Sequence, residues 1–318
     1  MSAPTGSAYL VTGAMGCIGA WTLRHLVDAG VTVVGFDVSE NRRRLDLLLS
    51  REEQDKIDFV QGEIGDVDAL QAVIERYGVD RIVHLAALQI PFCKADPVTG
   101  AHVNVVGTVS VFEAARQAGL RHLAYASSLA VHGDEHDGII GEPATLYGVF
   151  KHANEGTARV YWQDWGVGSL GLRPYTVYGV GRDQGLTSEP TKAMLAAAAG
   201  EPFEIGFGGR MQFHYASDVA RQFIEAADAP PSGAAAFDLG TEPVAVEEVV
   251  KIIQDVKPGS SVSHVEQPLP FPEGLSGADR ERYLPKTRVT LLEQGIRETI
   301  AQFEALLADG KRDLLTPG

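Results

Sequence analysis

The sequence predicts an α/β protein built on a doubly wound parallel sheet, with a smaller C-terminal substrate-binding subdomain. Two observations predict this class. Short apolar runs alternate with amphipathic stretches through the first 178 residues, as strands and helices alternate in such folds. After that point the rhythm loosens, and the segments there carry much of the chain's proline and glycine.

Five short apolar runs are candidate strands that are buried on both faces of the sheet. They are AYLVTG, VTVVGFD, KIDFVQG, RIVHLAA and RHLAYASS. Helical periodicity occurs between them, in IGAWTLRHLVDAG, DVDALQAVIERYG and DPVTGAHVNVVGTVSVFEAARQAG. Several of these stretches end in glycine, a common helix terminator. Asp96 before Pro97 is typical of an N-cap followed by a first helical turn.

The domain organisation follows from this change of rhythm. Residues 1–178 are expected to form the sheet domain, and residues 179–318 are expected to form mainly a substrate-binding region. A later segment, about 212–242, is expected to return to the sheet domain. Helices are predicted in VEEVVKIIQDV and LLEQGIRETIAQFEALLADG. The second region is large enough to cover the carboxyl edge of the sheet, where ligands of such folds bind.

Composition excludes several classes of protein. The 318 residues are 45% apolar and 22% charged, an ordinary balance for a soluble globular protein. A net charge of −15 opposes non-specific binding to nucleic acid or anionic membrane. Cys17 and Cys93 are too few for a disulfide framework and lack zinc-ligand spacing, so no metal site is predicted. The N-terminus does not resemble a secretory signal and no apolar run reaches transmembrane length, so we expect a cytoplasmic protein.

A glycine-rich loop lies between the first predicted strand and helix, in VTGAMGCIG. Glycine there permits a tight turn, close approach of a pyrophosphate and close helix–strand packing, and the helix N-terminus offers N–H groups to the anion. Asp37 ends the next strand, where an acid can accept hydrogen bonds from ribose hydroxyls and repels a 2′-phosphate. These features predict a dinucleotide-binding Rossmann domain that prefers NAD to NADP. The loop residues expected at the cofactor are Gly13, Met15, Gly16, Cys17, Ile18 and Gly19.

Three consecutive arginines, Arg42 to Arg44, follow Asp37 closely. Arginines at such a place could bind the 2′-phosphate of NADP. A solvated helix face explains three consecutive arginines more simply, and this interpretation leaves the preference for NAD unchanged.

Tyr147 and Lys151 lie four residues apart in YGVFK, shortly after the polar run SSLAVHG. On a helix, side chains at this spacing share one face, so phenol and ammonium can point into the same space. Tyrosine ordinarily titrates near pH ~10, and a neighbouring cation stabilises the phenolate. Taken alone, the pair is also explained by a surface aromatic beside a solvated lysine.

The remaining motifs favour a catalytic role for Tyr147 and Lys151 over the surface-pair explanation. The glycine loop, HLAA, SSLAVHG, YGVFK, LRPYTVYGVG, YASDVA and LLEQGIRETI stand in one order. So arranged, the chain resembles the extended short-chain dehydrogenase/reductases, the NAD-dependent epimerase/dehydratase family. The resemblance covers nearly the whole chain, and the combination is specific although each motif alone is not.

The resemblance implies three catalytic residues. Tyr147 is the general acid/base that exchanges a proton with the substrate hydroxyl or carbonyl. Lys151 lowers the pKa of Tyr147 and hydrogen-bonds the nicotinamide ribose, and Ser128 holds the substrate oxygen. A strand-end hydroxyl that satisfies the backbone is the alternative role, and it suits Ser127.

The resemblance also implies further cofactor contacts. The residues concerned are Glu63, Ile64, Ala86, Ala87, Pro174 and Val177, together with Tyr147 and Lys151. The family usually has aspartate at the position of Glu63. Asn104 matches a family asparagine near the cofactor, although a buried asparagine that braces a helix explains it nearly as well.

Departures from the family pattern bear on the substrate. Leu129 and Ala130 occupy the places of the Asp-Glu pair that dehydratases use, so dehydration is disfavoured. Met211 and Thr176 replace an arginine and an asparagine that usually bind a nucleoside diphosphate. We therefore expect a smaller polar, carbohydrate-like substrate. The residues expected to hydrogen-bond it are Gln89, Ser128, Thr176 and His214, with a less favoured contact from His132, which otherwise packs.

The leading function is an NAD-dependent oxidoreductase acting at a secondary alcohol or ketone of a small carbohydrate or hydroxy acid. A nucleotide-sugar epimerase is the first alternative, and a non-catalytic dinucleotide-binding sensor is the second. The intact Ser-Tyr-Lys set argues against the sensor. The resemblance suggests a homodimer through helices around 98–118 and 146–164, although apolar faces there could equally pack only on their own sheet.

Overall fold

The structure is a computed structural model and describes residues 6–136, 139–230, 232–287 and 289–315. Its strands are β1 (Ala8–Thr12), β2 (Thr32–Asp37), β3 (Ile57–Gln61), β4 (Arg81–His84), β5 (His122–Ala126), β6 (Glu135–His136), β7 (Ile139–Ile140), β8 (Gly168–Arg173), β9 (Thr176–Tyr178), β10 (Phe203–Ile205), β11 (Arg210–Met211), β12 (Phe213–Tyr215), β13 (Ala234–Asp238), β14 (Val244–Ala245) and β15 (Val262–His264). Its α-helices are α1 (Cys17–Ala29), α2 (Arg43–Asp46), α3 (Arg51–Gln54), α4 (Val67–Tyr77), α5 (Ile90–Ala95), α6 (Pro97–Ala101), α7 (Gly107–Gln117), α8 (Leu146–Trp165), α9 (Glu189–Ala199), α10 (Ala216–Asp228), α11 (Val246–Val256), α12 (Ala278–Tyr283) and α13 (Leu292–Ala308). All five predicted strands form, as β1 to β5, and the predicted helices form with them.

One sheet of seven parallel strands organises the described part of the chain, in the order β13-β8-β5-β4-β1-β2-β3. The chain runs outward from β1 through β2 to β3, returns to the other side of β1 as β4, and continues outward from there. This reversal makes the doubly wound topology that the sequence predicts. Ligands of such sheets bind where the strand order reverses, at the carboxyl ends of the strands. Here that point lies between β1 and β4.

The two sides of the sheet are packed by separate groups of apolar side chains. Along β1, Tyr9 and Val11 belong to one core, whereas Leu10 belongs to the other. All five residues of β1 are buried, which explains why it reads as a continuous apolar run. Burying one such large apolar side chain stabilises the fold by roughly 1.5–3 kcal/mol.

The helix predicted across residues 96–119 forms with one irregularity. Asp96 caps α6 by accepting a hydrogen bond from the Thr99 N–H, as the sequence predicts. A π-helical turn, His102–Val106, then joins α6 to α7. Such turns bulge one residue out of register and occur often at functional sites.

The chain after residue 179 builds smaller elements at the carboxyl edge of the sheet. β9 pairs with β12, β10 with β15, and β11 with β14. Helix α10 packs on α1, and β13 becomes the edge strand of the main sheet beside β8. Residues 216–238 therefore contribute to the sheet domain although they come late in the chain. No helix in the described ranges is long and apolar enough to cross a membrane.

Candidate active site

The glycine loop is shaped by contacts that only glycine permits. Gly13 has φ +71°, and a Cβ on it would lie 2.6 Å from the backbone nitrogen of Ala86. A Cβ on Gly19 would lie 2.2 Å from the carbonyl oxygen of Gly13. Gly16 is the N-cap of α1, and no side chain caps this end of the helix. The first N–H groups of α1 are thus available to an anion, which fits the pyrophosphate of NAD.

Asp37 lies beside this loop at the end of β2. Its two carboxylate oxygens accept hydrogen bonds from the N–H groups of Met15 and Ser39, both at 2.9 Å. Each carboxylate oxygen has a second lone pair that can accept from a ribose hydroxyl. Asp37 lines a cavity of about 400 Å³, called the adenosine cavity below, and Glu63 and Ile64 line it too. The residues and the space fit the adenosine half of the cofactor.

The prediction of a solvated helix face for the three arginines is wrong for two of them. Arg43 and Arg44 both form ion pairs with Asp183, and their side chains are only 14% and 19% exposed. The guanidinium of Arg42 stacks 4.0 Å from the ring centre of Phe59. The reason is tertiary, because Asp183 comes from a loop about 140 residues later in the chain.

Helix α8 positions the predicted catalytic pair. Thr145 caps its start by accepting from the N–H of Gly148. Tyr147 and Lys151 then face the same space, with the Lys151 Nζ 5.6 Å from the centre of the tyrosine ring. The Ser128 hydroxyl accepts from the N–H of Ala130 at 3.2 Å. Tyr147, Lys151 and Ser128 line a second cavity, of about 210 Å³.

Burial controls the protonation of this pair. Lys151 is 2% exposed, and burial lowers its pKa to about 8. Its Nζ donates to the carbonyl of Ala126 at 2.6 Å. Burial raises the pKa of Tyr147, and the Ser128 hydroxyl and the charge of Arg182 only partly oppose this. The expected lowering of the Tyr147 pKa by Lys151 is therefore not seen here, because loss of water around the phenol outweighs the charge of Arg182, and Lys151 is not among the groups that shift this pKa.

A chain of hydrogen bonds and ion pairs holds the end of β5 against α8 and β13. Ser127 donates to Glu155 at 2.5 Å, and Glu155 binds Arg173 through two bonds of 2.7 and 2.6 Å. Arg173 also binds Asp238, as does His132, each at 3.2 Å. Ser127 and His132 are thus held by protein partners. The bracing fixes the end of β5, and with it Ser128, against α8.

The structure brings most of the predicted site residues into one continuous cleft, since the two cavities share lining residues. Those in the cleft are Gly13, Met15, Gly16, Cys17, Ile18, Gly19, Asp37, Glu63, Ile64, Ala86, Ala87, Gln89, Ser128, Tyr147, Lys151, Pro174 and Val177. Asn104, Thr176 and His214 are not among the residues that line it.

Asn104 performs the bracing role that the sequence left open. It lies in the π-helical turn and is fully buried. Its side chain accepts from the N–H of Leu88 at 2.7 Å and donates to the Leu88 carbonyl and to the sulfur of Cys93. Asn104 therefore shapes the loop that carries Gln89, and its own polar atoms are used within the protein.

Thr176 and His214, predicted as substrate contacts, are buried in the protein. The Thr176 hydroxyl contacts the sulfur of Met211 at 3.2 Å. The His214 ring accepts from the N–H of Tyr175 at 3.0 Å. Neither side chain lines the cleft, although the buried Nε2 of His214 has no hydrogen-bond partner among the described residues.

Arg182 is a cleft residue that the sequence offers only as one of four arginines, with Arg210, Arg280 and Arg282, that could bind a diphosphate if their loops fold inward. It lines both cavities, and its Nη2 contacts the Thr187 hydroxyl at 3.3 Å. Its buried Nε has no hydrogen-bond partner, nor does the buried Oε1 of Gln89. Gly181 and Gly185, which both have positive φ, turn the backbone around Arg182. These flanking glycines are the sequence signal that could have indicated it.

A parallel sheet, a glycine loop at its switch point and an acid on the next strand define a dinucleotide-binding α/β enzyme. Residues 9–240 match the model of the NAD dependent epimerase/dehydratase family. Because the match covers more than half of the chain, the protein belongs to this family. It is an enzyme of the extended short-chain dehydrogenase/reductase type, and its cofactor is NAD. In the described residues, no group of three or more side chains could hold a metal ion.

Several proteins similar to this chain are epimerases. A UDP-glucose 4-epimerase of Mycolicibacterium smegmatis is 31% identical, over 92% of this chain and 97% of the relative. A UDP-glucuronate 4-epimerase of Arabidopsis thaliana is 28% identical, over 98% of this chain and 78% of the relative. Among solved structures, MoeE5 in complex with UDP-glucuronic acid and NAD is 26% identical, with a TM-score of 0.77 over 94% of this chain and 99% of MoeE5.

Proposed function

We propose that the protein catalyses NAD-dependent oxidation and reduction at a secondary alcohol of a small acidic carbohydrate. The observation that carries the proposal is the second cavity. There Ser128, Tyr147 and Lys151 lie together, joined to the cofactor cavity and beside the partly unpaired cation of Arg182.

Bound NAD supplies a hydride acceptor for the carbinol carbon. Ser128 orients the reacting oxygen, since it lines the same cavity as Tyr147. Tyr147 exchanges the proton with that oxygen, and its raised pKa makes it a proton donor to a carbonyl in the reductive direction. Lys151 supplies positive charge behind the phenol.

The charges around the second cavity support an acidic substrate. Of the described residues that line it, Lys151 and Arg182 are cationic, and none is a carboxylate. Lys151 donates to Ala126 and lies behind the phenol, whereas the buried Nε of Arg182 has no partner, so Arg182 is the cation better placed to bind an anionic group. A planar guanidinium suits a carboxylate, which it can bind through two bonds.

A nucleoside diphosphate finds fewer partners. Met211, at the usual arginine position, is buried against Thr176. The neighbouring Arg210 is half exposed, donates to the Pro243 carbonyl and lies 3.7 Å from Glu273. Neither side chain is among the residues that line the two cavities.

A nucleotide-sugar 4-epimerase is the second candidate, and the relatives favour it. The UDP-glucose 4-epimerase of M. smegmatis aligns over nearly its whole length. Both candidates share the first oxidation. They differ in whether the hydride returns to the same sugar, and in whether the site holds a nucleotide.

The test is a matched panel of substrates incubated with NAD. It contains uronic and aldonic acids, the corresponding neutral sugars, UDP-glucose and UDP-glucuronate. NADH absorbance reports net oxidation, and chromatography reports epimerised products. We expect NADH with an acid and little with its neutral counterpart, and Arg182→Gln should raise the KM for the acid selectively. Epimerised UDP-sugar without net NADH would instead establish the second candidate, and equal use of neutral sugars would refute the role of Arg182.

We also infer a homodimer through α8 and the helix formed by α6 and α7. Several large apolar side chains on these helices are exposed in the single chain. They are Val98, Val106, Val109, Leu146, Val149, Val160, Trp162 and Trp165. Exposed apolar side chains in this number favour a protein partner, and a second copy of the chain presents the same helices for a two-fold contact.

A further inference from the structure

A cluster of three charged side chains forms part of the wall of the adenosine cavity. One carboxylate oxygen of Asp183 accepts from Nε and Nη2 of Arg44, at 3.0 and 2.7 Å. Its other oxygen accepts from Arg43. The Asp183 side chain is 10% exposed. Charge-assisted bonds to a carboxylate are stronger than bonds between neutral groups, so Asp183 fixes the direction of both guanidinium groups.

The cluster lies close to the carboxylate that should receive the adenosine ribose. Arg44 donates through Nη1 to the carbonyl of Met15 at 3.0 Å, and the N–H of Met15 donates to Asp37 at 2.9 Å. The backbone of Met15 thus links Arg44 to Asp37 through two hydrogen bonds. Asp37, both arginines and Asp183 line the same cavity.

An arginine near the ribose is the usual means by which such domains accept the 2′-phosphate of NADP. The phosphate would bring roughly two negative charges, and a guanidinium can bind it through two bonds. Here the nearest guanidinium already binds a carboxylate. We propose that Asp183 sets the preference for NAD over NADP by engaging Arg43 and Arg44, which would otherwise form a 2′-phosphate site beside Asp37.

Arg44 is expected to matter more than Arg43. Arg43 also donates to the carbonyl of Leu314 at 3.1 Å, which would hold it in place after Asp183 is changed. The remaining contact of Arg44, to the Met15 carbonyl, keeps its guanidinium beside the ribose. The inference concerns binding of the cofactor alone and does not depend on which carbohydrate is oxidised.

The experiment compares dissociation constants for NAD and NADP, measured by calorimetric titration of the full chain. In Asp183→Asn, the ratio Kd(NADP)/Kd(NAD) should fall at least tenfold, which corresponds to about 1.4 kcal/mol. Asp183→Glu keeps the charge and should retain most of the wild-type preference. Asp46→Asn is the matched control. It removes one carboxylate charge from α2, the helix that carries both arginines, at a residue that pairs with Arg51 and does not line the cavity. Its ratio should not change.

Two further variants make the role of Arg44 testable. Adding Arg44→Ala to Asp183→Asn should abolish the gain in NADP affinity. Arg44→Ala alone should leave the cofactor ratio near the wild-type value, which tests the proposal even if Asp183→Asn does not fold. An unchanged ratio in folded Asp183→Asn, or a gain that survives the loss of Arg44, would overturn the proposal. A marked fall in NADP affinity in Arg44→Ala alone would do so too, because Arg44 would then already serve the phosphate.

Discussion

Replacing Lys151 with methionine is expected to abolish turnover without reducing stability at pH 7. The lysine is 2% exposed, and burial lowers its pKa from 10.5 to about 8. This difference corresponds to about 3 kcal/mol of destabilisation whenever the lysine is charged in both the folded and unfolded states. Methionine keeps all but the last atom of the side chain's length and removes the charge. Losing the bond to the Ala126 carbonyl offsets roughly 1–3 kcal/mol of the gain.

The pH dependence gives this prediction its sign. Below pH ~8 the lysine is protonated in both states, so the full penalty acts on the wild type. Between pH ~8 and ~10.5 the folded state releases the proton while the unfolded state keeps it. The wild type then gains about 1.4 kcal/mol per pH unit relative to the methionine variant. From pH ~8 to ~9.5 the expected relative gain is about 2 kcal/mol.

The assay is urea unfolding of both proteins, followed by tryptophan fluorescence over this pH interval. Taking the difference between them cancels the titration of all other groups. Lys94→Met, at an exposed position, is the control and should show no pH-dependent difference from the wild type. The reasoning fails if the difference between the wild type and Lys151→Met is independent of pH, or if the wild type loses stability relative to the variant as the pH rises.

Three further outcomes are expected. Tyr147→Phe should lower kcat by roughly 100- to 10,000-fold, the usual contribution of general acid/base catalysis, while the Kd for NAD measured by calorimetry stays nearly constant. Ser128→Ala should lower kcat far more than the unfolding midpoint, since the structural bond it loses is the one from the Ala130 N–H, whereas Ser127→Ala should lower the midpoint more than kcat, because Ser127 serves the brace through Glu155; the reverse pattern would exchange their roles. Val149→Lys should halve the mass seen in sedimentation, and Leu291→Lys, at a more exposed position outside these helices, should not; a wild type that already sediments as a monomer would refute the dimer.

The features that the sequence predicts correctly are set by short-range patterns. Strands β1 to β5 are continuous apolar runs, and the glycine loop needs only a strand, a turn and a helix in succession. Tyr147 and Lys151 share a face because helical geometry places residues four apart side by side. Each of these inferences depends on a few neighbouring residues, so no knowledge of distant contacts is required.

One error could have been avoided from local geometry. Val177 and Thr176 are adjacent in β9, and the sequence interpretation assigned both to the cleft. Successive side chains of a strand point to opposite faces. With Val177 in the cleft, Thr176 must face away, and it packs against Met211 as this rule requires.

Other features depend on contacts between distant parts of the chain. The pairing of Asp183 with Arg43 and Arg44 joins residues about 140 positions apart, and nothing near the arginines indicates it. The inward direction of Arg182 depends on how its loop folds between two glycines. The raised pKa of Tyr147 depends on how much water the surrounding elements exclude, which no motif spacing reports.

The position of β13 has a consequence for how the protein can be made and divided. β8 receives its outer neighbour only when Ala234–Asp238 has been synthesised, after the whole excursion through α9 and α10. Until then the growing chain presents an unpaired strand edge, a surface prone to aggregation. A fragment ending near residue 178 would keep that edge permanently. The lobe that holds the cofactor therefore cannot be obtained by a single cut, and any split or tagged version should leave residues 1–238 on one polypeptide.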